Sequence, residues 1–140
     1  TAEGKMFIDF GVFSNSGKNV KLSEYVGKGK ITVLNIYSSK GNNAAKEIET
    51  IKAVADAYKD KVQFVGFGIE TNAQAWNAFI EKNNMWWPQM SDLQGWGSQA
   101  IFSYGVNVYP YNIIFDKNGR ILRKGIKLSE LQGYLGGIAK

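Results

Sequence analysis

"ITVLNIYSSKGNNAAKEIE", residues 31 to 49, changes its hydrophobic period once, and that change decides the class of the fold. Residues 31 to 37 are a run of strand length, apolar enough to be buried. Beyond them Ala44, Ile48, Ile51, Ala55 and Tyr58 recur at spacings of three and four, which predicts a helix over 42–58 with one apolar face. Asn42 or Asn43 can cap its start. Between strand and helix lies a tight turn, Ser38-Ser39-Lys40-Gly41. A buried strand running into a helix N-terminus is a favoured place for chemistry, because the first N–H groups of the helix lack partners. This turn nevertheless carries nothing obviously reactive.

Outward from this unit the pattern continues as an alternation of strands and helices. Upstream, residues 6 to 13 read as extended, 15 to 18 as a turn, 19 to 22 as a short returning strand and 27 to 30 as a loop. Downstream, 62 to 69 is a second strand, and Asn72 opens a helix with Trp76, Phe79 and Ile80 on one face. Residues 84 to 96 read as irregular, and a short helix with Ala100, Ile101 and Tyr104 follows. Strand 111 to 115 is joined to strand 120 to 126 by Asp116-Lys-Asn-Gly119, a hairpin turn because Asn-Gly tolerates positive φ. Ser129-Glu-Leu-Gln132 has capping-box form and starts a last helix with Leu128, Leu131, Leu135 and Ile138 inward. The order β-α-β-α-(α)-β-β-α after an N-terminal hairpin predicts one α/β domain spanning 1–140, without repeat or linker.

Composition narrows the function. The chain has 140 residues, 44% of them hydrophobic, with 4 Trp, 7 Tyr and 8 Phe, enough for a packed core. No apolar run reaches membrane-spanning length. The net charge of +5 comes from lysines scattered along the chain, whereas a nucleic-acid module concentrates basic residues and exposed aromatics on one face, so no nucleic-acid partner is expected. There is no cysteine and no histidine. The first absence removes disulfides, thiolate nucleophiles and redox pairs. The second removes Ser-His-Asp triads and histidine-bearing metal sites. No metal and no cofactor is expected.

Four stretches in order carry a resemblance: "GKNVKLSEYVGKGK", "ITVLNIYSS", "WWPQMSDLQGWGSQAIFSYGV" and "VYPYNIIFDKNGRI". Together they resemble the thioredoxin fold, and within it the TlpA-like envelope thiol-disulfide oxidoreductases of the peroxiredoxin/thioredoxin superfamily. The resemblance implies a three-layer α/β/α domain with a mixed central sheet and an N-terminal β-hairpin extension. Family members carry a Cys-x-x-Cys word at the strand-to-helix turn. Laid on this chain, Gly41 and Ala44 occupy the two cysteine positions, Asn42 and Asn43 lie between them, and Lys40 stands where the family has tryptophan. Pro110 matches the proline that is cis in the family, and Asn35 takes the place of a buried acid that moves protons. A dithiol works there because the helix N-terminus lowers a thiol's pKa and a second sulfur resolves the mixed disulfide. Gly41 and Ala44 can do neither.

What the resemblance leaves is binding of a protein or peptide partner. An extended polypeptide would lie at the cis-proline loop, pairing with the backbone of Tyr109 and lined by Tyr109, Pro110, Lys40, Gly41, Asn42, Asn43 and Trp86 or Trp87. One tryptophan of the pair is expected in the core and the other at the surface. The resemblance also places the chain in the bacterial periplasm or cell envelope with a leader removed. It says nothing of oligomeric state. Other readings stay open: an enzyme using the same groove for non-thiol chemistry, an accessory to a redox partner, or a scaffold domain of a longer chain. Ser38 or Ser39 beside Lys40 could suggest a Ser-Lys hydrolase, but adjacent strand residues point to opposite faces, so the lysine is read as solvated. Glu47 and Glu49 diverge on the helix and are read as first-turn acids that favour its dipole. Glu70, at a strand's C-terminal end where ligands gather, is read by default as a solvated loop acid.

Overall fold

The computed structural model describes residues 2–139. Gly11–Ser14 (β1) and Asn19–Lys21 (β2) form the expected hairpin, paired Val12 to Val20. Its outer edge is blunted: the Lys21 N–H donates to Glu24 Oε2 at 2.7 Å, so one group that could recruit a foreign strand is already occupied. Ile31–Tyr37 (β3) is buried at every position. Ala44–Ala57 (α1) buries Ala44, Ile48, Ile51, Val54 and Ala55, close to the pattern read from the sequence. Its N-cap is Asn43, whose side chain makes no capping bond.

Val62–Gly68 (β4) follows, then Ala73–Lys82 (α2), where Asn72 Oδ1 accepts the Ala75 N–H at 2.9 Å as a true cap. The stretch read as irregular contains a strand, Gln89–Ser91 (β5). Three residues between loops show no period, and their burial comes from neighbours on both sides, β4 and β1. Gln99–Ser103 (α3), Tyr111–Phe115 (β6), Ile121–Ile126 (β7) and Leu128–Ile138 (α4) complete the chain. The β6–β7 turn is the predicted one, with Gly119 at φ +94 and Asp116 Oδ1 accepting from the N–H groups of Asn118 and Arg120. The capping box is absent from α4. Lys127 is the N-cap and makes no side-chain bond, which places Ser129 inside the helix. Leu131 and Leu135 are buried as expected, whereas Ile138 is 38% exposed and Ala139 is buried in its stead.

The seven strands form one mixed sheet in the order β2-β1-β5-β4-β3-β6-β7. β3 pairs in parallel with β4 and antiparallel with β6, so the middle of the sheet is covered on both faces. Alternation along the strands separates two cores. Ile31, Val33 and Tyr37 of β3 face α1, α2 and α4, while Leu34 and Ile36 face α3 and the N-terminal segment. That segment is tied down by Tyr104, whose hydroxyl accepts the Ile8 N–H at 2.8 Å and donates to the Ile8 carbonyl at 2.5 Å. Among the described residues, no helix is long and apolar enough to cross a membrane.

Candidate functional site

β3 delivers residues 38 to 43 to the end of the sheet where β6 begins. The turn closes on itself: the Gly41 N–H donates to the Ser38 carbonyl at 3.3 Å and the Ala44 N–H to the Gly41 carbonyl at 3.2 Å. Lys40, Asn42 and Asn43 are exposed, and Gly41 is half-buried. Across from the turn, the Tyr109–Pro110 peptide bond is cis. The two segments meet closely. A Cβ placed on Gly41 would lie 2.9 Å from Tyr109 Cε2, inside ordinary van der Waals contact. The Tyr109 ring therefore occupies space that a side chain at position 41 would need. Its other neighbour is Trp96, with ring centroids 5.8 Å apart and planes tilted by 34°. Tyr109 is 38% and Trp96 51% exposed, so the pair forms an aromatic platform at the surface.

Glu70 holds this arrangement in place. It is 2% exposed rather than solvated, as it follows β4 into the space behind the turn. Its Oε2 accepts the Ser39 N–H at 2.7 Å and its Oε1 accepts the Ser39 hydroxyl at 2.5 Å. Its own carbonyl accepts the Gly95 N–H at 3.0 Å, one residue before Trp96. Residue 70 thus fastens the turn through its carboxylate and the loop carrying the platform through its backbone carbonyl. Burial raises its pKa above the ordinary carboxylate range, against the opposing pull of the two Ser39 bonds and the Lys40 charge.

Beneath Glu70 a buried polar chain crosses the sheet. The Trp76 indole N–H donates to the Tyr37 hydroxyl at 2.8 Å, and that hydroxyl donates to Gln89 Oε1 at 2.7 Å. β4 makes room for it with glycine on this face. A Cβ at Gly66 would collide with the Gln89 amide, and one at Gly68 would lie 2.8 Å from both Trp76 Nε1 and Glu70 Cγ. Burial pushes the Tyr37 hydroxyl far above its ordinary range, so it stays protonated as a donor. On the same strand Asn35 is 2% exposed and donates through Nδ2 to Asn112 Oδ1 at 2.8 Å. Asn112 in turn donates to the Ile126 carbonyl at 3.0 Å. Asn35 is thus a neutral amide tie between β3 and β6.

The sequence-predicted residues therefore divide. Lys40, Gly41, Asn42, Asn43, Tyr109 and Pro110 lie on the turn and the facing loop. Trp86 does not join them. Its indole N–H donates to Asp56 Oδ1 at 2.7 Å, and Lys59 sits over its ring at 5.5 Å. Asp56 is 12 residues along α1 from Ala44, about 18 Å at helical rise. Trp87 is the core member of the pair at 2% exposure, and Trp86, at 45%, is the surface member. Three contributors were missed or underrated: Trp96, Glu70 and the Gln89 chain. The signals were Trp96 between two glycines, an acid at a strand's carboxyl end, and the Gly66-x-Gly68 alternation that marks space above one face of a strand.

Among the described residues no cluster of metal-binding side chains occurs. Solved structures of the same shape include the thioredoxin domain of a thiol-disulfide oxidoreductase from Bacteroides vulgatus, with TM-score 0.87 and 20% identity over all of this chain and 99% of that one. A thiol-disulfide oxidoreductase from Bacteroides fragilis superposes with TM-score 0.87 and 23% identity over 96% of this chain and 99% of its own. The fold is thus the thioredoxin fold. In sequence, the thiol-disulfide oxidoreductase ResA of Bacillus cereus is 26% identical over 136 residues, covering 94% of this chain and 76% of ResA. The sequence pattern of the AhpC/TSA family matches residues 4–124, and the chain belongs to that family as a ResA-like, thioredoxin-fold member without a single cysteine.

Proposed function

We propose that this protein binds an extended polypeptide at the turn and the Tyr109–Pro110 loop, and carries out no thiol-disulfide exchange of its own. The observation that carries the reading is the Tyr109 ring held 2.9 Å from where a Cβ of residue 41 would stand. Thiol exchange needs a nucleophilic sulfur on this turn and a second one to resolve the mixed disulfide. The chain has neither, and an exposed aromatic ring lies beside the turn. Exposed, braced aromatics beside an extended loop suit backbone pairing with a partner strand plus a side chain laid on the rings. An envelope location belongs to the same proposal, and the likeness to ResA supports it.

The test has two parts. Insulin reduction with dithiothreitol should run at background rate in the presence of the protein, and turnover above background would overturn the inactive reading. A peptide array should give binders whose signal is lost in Tyr109→Ala and Trp96→Ala. An array without binders, or binding indifferent to both substitutions, would overturn the binding reading.

A second reading has one specific observation in its favour, the 2.5 Å bond from the Ser39 hydroxyl to buried Glu70. A carboxylate so placed could take a proton from a serine nucleophile. Glu70 also accepts the Ser39 backbone N–H, however, which is the geometry of an anchor. Hydrolysis of a generic ester that is abolished in Ser39→Ala would establish this reading.

A further inference from the structure

Asn118 is the only asparagine of the chain that glycine follows. A glycine nitrogen has no neighbouring side chain to hinder its attack on the asparagine amide, so this pair loses ammonia faster than other asparagine pairs. Asn118 is exposed in the β6–β7 turn, at the opposite end of β6 from the Tyr109–Pro110 loop, where water and hydroxide reach it. By contrast Asn15, followed by the small Ser16, is half-buried and donates through Nδ2 to Asn77 Oδ1 at 3.3 Å. The turn around Asn118 is also clamped. The Gly119 N–H donates to the Asp116 carbonyl at 3.1 Å. Before Asn118, the Lys117 carbonyl accepts the Gly29 N–H at 3.2 Å; after it, the Gly119 carbonyl accepts the Phe7 N–H at 2.8 Å. Gly119 is buried against the N-terminal segment: a Cβ there would lie 2.9 Å from Phe7 Cδ1 and 3.3 Å from Met6 Sδ.

We propose that Asn118 is a site of spontaneous modification, whose conversion to isoaspartate loosens the ties of the turn to Phe7 and Gly29. Hydroxide takes the Gly119 amide proton, and the nitrogen attacks Asn118 Cγ. The new N–Cγ bond closes a cyclic imide as the Cγ–Nδ2 bond breaks, and Nδ2 leaves as ammonia with a proton from water. Water then opens the imide at either carbonyl, giving aspartate or isoaspartate. The sum is amide plus water to carboxylate plus ammonium, and nothing is oxidised or reduced. Isoaspartate routes the main chain through Cβ and Cγ, which lengthens it between the clamped carbonyls of Lys117 and Gly119. The Gly29 and Phe7 bonds cannot both stay in register with a turn so lengthened. The fold also sets the pace. The attacking nitrogen is a donor to Asp116 and must leave that bond first. One hydrogen bond shifts an equilibrium by about fivefold, so the native turn should react about fivefold more slowly than the unfolded chain, or slower still.

The experiment incubates the intact protein in mildly alkaline buffer, with and without denaturing urea, and follows each asparagine by peptide mapping, with isoaspartate labelled by protein isoaspartyl methyltransferase. Modification should accumulate at Asn118 ahead of every other asparagine, about fivefold more slowly without urea or slower still. Asn118→Gln, on the exposed turn where folding is not at stake, should abolish the label. The modified native fraction carries an added negative charge and separates by ion exchange. Its Phe7 and Gly29 amides should exchange hydrogen faster than those of the unmodified protein. Freshly prepared Asn118→Asp, which has the charge without the longer main chain, should exchange like wild type. Another asparagine reacting first in the native protein, or label that survives Asn118→Gln, would overturn the site. Equal rates with and without urea would overturn the restraint by Asp116. Unchanged exchange at Phe7 and Gly29, or Asn118→Asp exchanging like the modified fraction, would overturn the loosening by chain length.

Discussion

Glu70→Ala tests the anchoring of the site most directly. The change removes two hydrogen bonds to a charged acceptor, at 2.7 Å and 2.5 Å, each worth about 1.5–3 kcal/mol. It also removes the Glu70 Cγ that lies over Gly68, about 0.8 kcal/mol per buried methylene. Against these stands relief from keeping a carboxylate out of water, which the raised pKa reports. Ser39 is half-buried, so water can reach its freed donors in part. The net loss comes to about 3 kcal/mol, or about 10 °C in Tm for a chain of this length. Glu70→Gln keeps the shape and an acceptor for the Ser39 N–H, and should cost less than about 1 kcal/mol at pH 7. The two proteins should also differ in pH dependence. A carboxyl whose folded pKa is raised contributes stability that is full below its unfolded value, about 4.3, and is lost as pH rises through the folded one. Wild type should therefore lose stability relative to Glu70→Gln between acid and neutral pH. Urea denaturation followed by far-UV circular dichroism at several pH values reads both effects. Glu70→Ala within 0.5 kcal/mol of wild type would refute the anchor, and parallel pH profiles for wild type and Glu70→Gln would refute the raised pKa.

Tyr37→Phe should cost about 2 kcal/mol in the same urea assay, because it strands the Trp76 N–H and Gln89 Oε1 inside the core; a change below about 0.5 kcal/mol would mean that other partners satisfy them. Gly66→Ala should destabilise by about 1–3 kcal/mol through its collision with the Gln89 amide, and Gln89→Ala should recover much of that loss in a double-mutant cycle. Trp86→Phe should leave peptide binding unchanged. By removing the indole bond that holds the Asp56 carboxyl below the usual range, it should move the NMR titration of Asp56 upward; the Asp56 contribution is present above the unfolded pKa and fades as pH falls through the folded one. Gly41→Ala should weaken peptide binding by displacing the Tyr109 ring, while leaving the urea midpoint nearly unchanged; unaltered binding would mean that the ring's position does not matter.

The elements most legible in the sequence were those whose period is long enough to count. β3 and α1 follow from one continuous pattern, and the β6–β7 turn from Asn118-Gly119. β5 was lost because three residues show no alternation and owe their burial to partners far away in sequence. The α4 capping box failed because its motif fits many helix interiors as well as starts, and the helix had already begun at Leu128. The turn and the facing loop were legible through the family words around them. Glu70 was not, since nothing local distinguishes an acid that a distant serine will bury from one that water will solvate; the Ser39–Glu70 pair spans 31 residues. Trp86 was misplaced for a related reason, because adjacency to Trp87 in sequence does not tell which end of α1 the exposed ring meets.

These features bear on the proposed binding role of the turn. Gly41 is not at positive φ, so backbone conformation does not demand glycine there. What lies close is the exposed Tyr109 ring, which Trp96 meets from the other side. The loop that carries Trp96 is bonded to the backbone carbonyl of Glu70, whose carboxylate holds the turn. Tyr109 thus lies between Gly41 and Trp96, and a side chain at position 41 would shift its exposed ring. No sulfur stands on this turn and exposed aromatic rings lie beside it, which is what supports the proposal that the site holds a partner.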